Sequence, residues 1–298
     1  MKIKTGKFLS VVSFFLWILF LMPREAAAEK SVVVTILPLA DFVRNIGGDK
    51  VHVSVMIPPG GNPHTYEPTP GQMRTVSEAV LYVKVGTEME FEMTWMGKLT
   101  ALNKKMSVCD ASKGIELLGV KEPFDHAEGG DHRHHHHGGE DPHTWLSPLN
   151  AIMIAGNIRD ALIGTDPENR DQYENNAREY IIKLNKLDSY IRDKLKHSSG
   201  RAFIVFHPAW GYFAADYGLR EMPVEYSSKD PTPRQMAELI TEARKLNIKV
   251  IFVSPQFSTR SAEAIARNIN GRVEFIDPLA GDYIENLKKV ADILADAE

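Results

Sequence analysis

The residues with the most chemical reach in this 298-residue sequence are its histidines. There are eleven, and seven of them (His126, His132, His134, His135, His136, His137 and His143) fall between positions 126 and 143. Imidazole titrates near neutral pH and is a common ligand for transition metals. The single cysteine, Cys109, excludes an intramolecular disulfide and any cysteine-built zinc finger. The chemistry on offer is therefore metal binding by nitrogen and oxygen.

Four residues stand where a site could be built. His64 lies in NPHTYEP, His143 in DPHTWLSP, His207 in FHPAW and Asp277 in FIDPL. All but His143 follow an apolar, β-rich run, and His143 immediately precedes a helix that starts near Pro148. In open α/β sheets, ligands sit beyond the carboxyl ends of strands. A His or Asp there can equally be a turn former or a helix cap, so the argument rests on the set. Pro63, Pro142, Pro208 and Pro278 adjoin the four and stiffen their loops, lowering the entropy lost in closing on an ion. His52, inside a strand, and His197, near a helix C-terminus, read as structural.

The elements that must position these residues are legible. VVVTIL (32–37), VHVSVMI (51–57) and AVLYVKV (79–85) read as strands in the first half; AFIVF (202–206), VIFVS (250–254) and VEFI (273–276) do so in the second. Helical spacing fills 39–46, 71–78, 233–246, 259–270 and 282–296. Near-continuous apolar strands alternating with helices predict an α/β fold with parallel sheets covered on both faces. Between the halves, Tyr173, Ala177, Tyr180, Ile181, Leu184, Leu187, Ile191 and Leu195 fall on one face of a long helix over about 167–196. The expected organisation is residues 29–164 as a first lobe, 165–198 as a linking helix and 199–298 as a second lobe. A repeat supports two related lobes: EPTPGQM (67–73) matches DPTPRQM (230–236) at five of seven positions, each reading as a Thr-capped helix start.

Residues 1–28 read as an export signal. Lys2, Lys4 and Lys7 precede a 15-residue apolar run, and Ala26-Ala27-Ala28 fits a small-residue cleavage site. The run is short for a membrane span, and no cysteine follows it to carry a lipid. Net charge is −4 for the whole chain, and Lys2, Lys4, Lys7, Arg24 and Glu25 leave with the signal, so the remainder carries −7. Such a balance offers no basic field for nucleic acid. Asp125–Asp141, DHAEGGDHRHHHHGGED, has no apolar periodicity and predicts a loop without a core. Its six histidines, His126, His132, His134, His135, His136 and His137, can bind metal only after ordering that chain, so they are expected to be secondary, weaker sites.

NPHTYEP, DPHTWLSP, FHPAWGYF, VSPQFS and FIDPL, in this order, closely resemble the metal-binding substrate-binding proteins of bacterial ABC transporters (cluster A-I), specifically the zinc-uptake, ZnuA-like branch. The resemblance spans essentially all of the chain after residue 28. It implies two Rossmann-like (β/α) lobes joined by one long helix, with the ion in the cleft between them. It places metal ligands on His64, His143 and His207, with Asp277 as the completing carboxylate, and a His-rich loop between the first two ligands. It implies a periplasmic monomer that captures Zn²⁺ and delivers it to an integral-membrane permease, not an enzyme. The cysteine pair carried by several zinc-branch members in the second lobe is absent here. Three imidazoles and one carboxylate suit tetrahedral zinc, whereas manganese prefers harder, oxygen-rich sites; copper or nickel would also bind imidazole tightly, and only availability excludes them. The manganese branch carries a carboxylate where this chain has His207. The alternatives are a manganese- or iron-carrying relative, a metal-dependent surface adhesin and an exported zinc hydrolase. The last is disfavoured by the lack of HExxH and, if Asp277 fills the fourth position, of a metal-bound water.

Overall fold

The computed structural model describes residues 29–119, 139–225 and 231–297. The expected export signal and nearly all of the His-rich segment, including its six histidines, lie outside the described residues. Among the described residues no helix is long and apolar enough to cross a membrane.

Two four-stranded parallel sheets carry the fold. The first holds β1 (Lys30–Val34), β2 (Val51–Val55), β3 (Leu81–Lys84) and β4 (Ser107–Asp110) in the order β2-β1-β3-β4. The second holds β5 (Ala202–Val205), β6 (Arg220–Pro223), β7 (Val250–Val253) and β8 (Arg272–Phe275) in the order β6-β5-β7-β8. The two orders are the same topology, which the short repeat anticipated. Central strands are the apolar ones: Val32, Val33 and Val34 are fully buried, as is Ile251. The six expected strands form. The two the sequence pattern missed, β4 and β6, are edge strands whose polar residues interrupt any apolar run.

Nine described helices surround the sheets: α1 (Leu37–Gly47), α2 (Pro70–Glu78), α3 (Glu90–Leu102), α4 (Pro148–Thr165), α5 (Arg170–Leu195), α6 (Gly211–Tyr217), α7 (Pro233–Lys245), α8 (Arg260–Asn268) and α9 (Tyr283–Asp296). Of these, α3 and α6 were not anticipated. The linking helix is α5, 26 residues entered through a 3₁₀ turn at Pro167–Asn169. Its predicted stripe is buried, except that Ile181 is half-buried. Tyr180 Oη donates to Asp41 of α1 at 2.7 Å, and Tyr190 Oη donates to Asp292 of α9 at 2.7 Å. The strut is thus tied to both halves.

One continuous core runs from the first sheet through α5 to one face of the second sheet. Phe42 presents its ring edge-on to Tyr180 and Tyr283, with centroids 5.4 and 4.9 Å apart. Only the opposite face of the second sheet packs separately, and β5 divides between the two: Phe203 and Val205 join the shared core, Ile204 the other. The lobes therefore do not have independent interiors.

The repeated capping motif forms as read. Thr69 caps α2 and Thr232 caps α7, each in a full capping box with the glutamine three residues on. Both helices follow the second strand of their sheet, so the repeat marks equivalent places in the two lobes. Replacing Thr69 or Thr232 by Ala should each lower unfolding free energy by about 1 kcal/mol. Urea titration followed by circular dichroism checks this, and the glutamine partners should show smaller losses.

Candidate metal centre

Three loops converge between the sheets. His64 sits in the loop after β2, His143 in the turn before α4, and His207 directly after β5. The His64 and His207 rings lie with centroids 4.9 Å apart, and those of His143 and His207 lie 5.4 Å apart. All three line one small cavity with Pro63, Met89, Pro142, Trp145, Phe257 and Leu279, leaving a space of about 20 Å³. That is room for a body the size of one water molecule.

The presentation of His64 and His143 has a common local cause. In Asn62-Pro63-His64 the Asn62 side-chain oxygen accepts from the His64 backbone N–H at 2.9 Å. In Asp141-Pro142-His143 the Asp141 carboxylate accepts from the His143 N–H, also at 2.9 Å. Each is an Asx turn, closed by a side chain and stiffened by proline. The loop carrying His143 is also joined to the second half: Trp145 Nε1 donates to the Pro278 carbonyl at 2.8 Å, and Tyr283 Oη to the Trp145 carbonyl at 2.7 Å. Tyr212 Oη donates to the Asp141 carbonyl at 3.1 Å. Behind it, Gly211 comes so close that an added Cβ would lie 2.6 Å from Asp141 Oδ2. A side chain at 211 would push the Asp141 carboxylate aside. After β5, the His207 loop is held by Glu221, whose carboxylate accepts from the Ala209 and Trp210 N–H groups.

Each imidazole has its own carboxylate. His64 Nδ1 meets Glu90 Oε1 at 2.9 Å, His143 Nδ1 meets Asp141 Oδ1 at 2.8 Å, and His207 Nδ1 meets Glu225 Oε2 at 3.2 Å. A carboxylate only accepts, so Nδ1 must carry the proton and a neutral ring keeps its lone pair on Nε2. Carboxylate-oriented histidines of this kind are the usual outer shell of a metal site. Burial opposes ionisation of Glu90, but the His64 hydrogen bond, a backbone hydrogen bond and the nearby His64 and His143 together hold the carboxyl below its ordinary range. Burial pushes the His207 pKa down, against the pull of Glu225, and its neighbours His143 and His64 lower it further. Phe257 stacks on His207 with centroids 4.6 Å apart and planes 20° apart. The environment favours a neutral, ligand-ready ring.

The two Nε2 atoms of His64 and His207 lie 3.4 Å apart. With both Nδ1 atoms donating to carboxylates, these are two lone pairs face to face. A tetrahedral ion with Zn–N bonds of about 2.0–2.1 Å needs its ligand nitrogens about 3.3–3.4 Å apart. The separation matches one edge of that tetrahedron. Among the described residues no group of three or more His, Cys, Asp or Glu side chains is yet placed so as to hold a metal ion; the matching pair is His64 and His207.

Asp277 is not brought into this cluster. It lines a neighbouring cleft with Ile57, Pro58 and Gly60. Its Oδ1 accepts from the Leu279 N–H and from Gln256 Nε2, both at 2.9 Å. Asp277-Pro278-Leu279 is thus a third Asx-Pro turn, with Leu in the place of His. The two histidines read as structural stay apart from the site. His52 is exposed beside Glu29, and His197 is exposed just past α5. Sequence reasoning missed Glu90 and Glu225 as partners, and it used Asp141 only as part of a motif. The DPH spacing was a usable signal for Asp141; no local signal marked the other two.

Comparison with known proteins agrees with this fold. Residues 32–297 match the family described as zinc-uptake complex component A, periplasmic. The chain is 34% identical over 284 residues to the high-affinity zinc uptake system protein ZnuA of Bacillus subtilis (strain 168), covering 89% of this chain and 86% of that protein. A crystal structure of ZnuA is 40% identical with a TM-score of 0.82, covering 91% of this chain and 99% of that one. A zinc-bound deletion mutant of ZnuA superposes equally well, at 40% identity and a TM-score of 0.82 over 91% of this chain and 98% of that one. With two same-order parallel sheets, one linking helix and a histidine cluster between them, the chain belongs to this family of periplasmic zinc-uptake components.

Proposed function

We propose that this protein binds Zn²⁺ between its lobes through His64, His143 and His207 and delivers it to an integral-membrane ABC permease from the periplasmic side. The observation that carries the reading is the 3.4 Å Nε2–Nε2 edge between His64 and His207, with each Nδ1 committed to a carboxylate. His143 completes the set by turning its ring about the Asp141 contact. A neutral three-imidazole set favours zinc over manganese, which wants anionic oxygen. In this reading the protein acts as a carrier, in keeping with the zinc-uptake family to which the chain belongs. Asp277, spent on its own turn, is not a ligand in this reading. The His-rich segment adds weaker sites through His126, His132 and His134 to His137 that feed the nearby His143.

Competitive titration with a chelating dye tests the ligand set. His64→Ala, His143→Ala and His207→Ala should each weaken zinc binding by orders of magnitude, whereas His52→Ala and His197→Ala should leave it unchanged. Tight binding that survives His207→Ala would sink the assignment.

Glu225→Ala should weaken zinc binding by about 10- to 100-fold, the usual loss for an outer-shell partner of a ligating histidine. Glu225→Gln keeps an acceptor for Nδ1 and should recover most of it in the same titration.

Zinc binding should weaken as pH falls below about 6.5, because protons compete for the imidazoles. The metal-free protein should lose stability over the same range. The His207 pKa is depressed in the folded state, so the unfolded chain takes up its proton first as pH falls. Thermal melts of metal-free protein between pH 8 and 5 read this directly, and His207→Gln should flatten the slope.

A further inference from the structure

We propose that Gln256 determines the metal selectivity of this site: its carbonyl oxygen accepts the hydrogen bond of a water that completes the ion's shell, while its amide nitrogen holds Asp277 out of that shell. The inference rests on the zinc-site reading above and extends it to the fourth coordination position.

Gln256 follows β7 in the loop that also supplies Phe257, the ring stacked on His207. It stands in the wall between two spaces, lining both the histidine cavity and the adjoining cleft that contains Asp277. The orientation of its amide is fixed by chemistry. Asp277 Oδ1 can only accept, so the atom 2.9 Å from it must be Nε2. The carbonyl Oε1 is then left buried with no hydrogen-bond partner, the single such side-chain atom among the described residues. An orphaned buried acceptor costs free energy unless a donor reaches it.

A metal-bound water is such a donor, and its acidity is raised by the ion. Seated against Oε1, it gives the ion three neutral nitrogens and one neutral oxygen. That set satisfies tetrahedral zinc. It denies manganese the anionic oxygen it prefers, and Asp277, the second-lobe carboxylate in the adjoining cleft, is restrained by the same glutamine. One side chain thus accepts from the permitted ligand and restrains the excluded one.

The test is a double-mutant cycle on purified protein, titrated with Zn²⁺ alone and Mn²⁺ alone. Gln256→Met should weaken Zn²⁺ binding about ten-fold, the worth of a buried hydrogen bond, and tighten Mn²⁺ binding as Asp277 is released. The ratio of the two Kd values should narrow more than ten-fold. Asp277→Asn alone should leave the ratio unchanged, and adding it to Gln256→Met should return Mn²⁺ affinity to the wild-type value. An unchanged ratio in Gln256→Met, or loss of tight Zn²⁺ binding in Asp277→Asn, overturns the proposal. Melting of the metal-free variants monitors folding. If Gln256→Met does not fold, Gln256→Leu, which can neither accept from the water nor donate to Asp277, must narrow the ratio too, and its failure to do so is equally decisive. Retention of tight Zn²⁺ binding by His207→Ala would instead refute the underlying site, so the two failures are distinguishable.

Discussion

An imidazole can offer only one nitrogen to an ion, and which one is decided by what holds the other. Everything at this site follows from that constraint. Glu90, Asp141 and Glu225 each take one Nδ1, so the ring direction and the tautomer are set by the protein. Two of the three carboxylates are themselves buried, which is tolerable only because each has a donor to satisfy it. The loops bearing the rings are then held in turn, by Asx turns at His64 and His143 and by Glu221 behind His207.

The shared interior is the second organising fact. Helix α5 is a structural member of both halves, because the core it completes on one side continues into the other. The Trp145 and Tyr283 hydrogen bonds cross the same boundary. Wide separation of the lobes would expose fully buried aromatics such as Phe42, Tyr180 and Tyr283, each a large apolar area. The fold therefore favours small adjustments of loops and rings over hinge opening. This suits the proposed site, in which the His64 and His207 nitrogens are already 3.4 Å apart.

Much of this was legible in the sequence, for identifiable reasons. The three clustered histidines could be singled out because they flank strong elements whose period is written in local sequence, and the capping repeat because its hydrogen bonds are made within four residues. The linking helix showed in its apolar stripe. What escaped depends on tertiary neighbours. Glu225 reaches His207 because β6 pairs with β5, an edge strand that REMP does not announce. Glu90 opens a helix whose apolar pattern is blurred by Glu92, a buried carboxylate that accepts from Val85 and Gly86 and so belongs to the end of β3. Asp277 was expected at the ion because its strand-end position equals that of the histidines. The structure gives it instead the work of Asn62 and Asp141, closing a turn.

That last equivalence reaches beyond this ion. Three loops use the same three-residue module, an Asx side chain, a proline and a displayed residue, and they differ in what is displayed: His64, His143 and Leu279. The scaffold of the module is independent of its cargo-facing side chain, since the turn bond runs to a backbone N–H. Divergence of metal preference in such a chain can then proceed by exchanging single displayed residues, with no backbone to rebuild and little stability at stake. A binding protein made this way carries its specificity as a separable layer over a fixed frame.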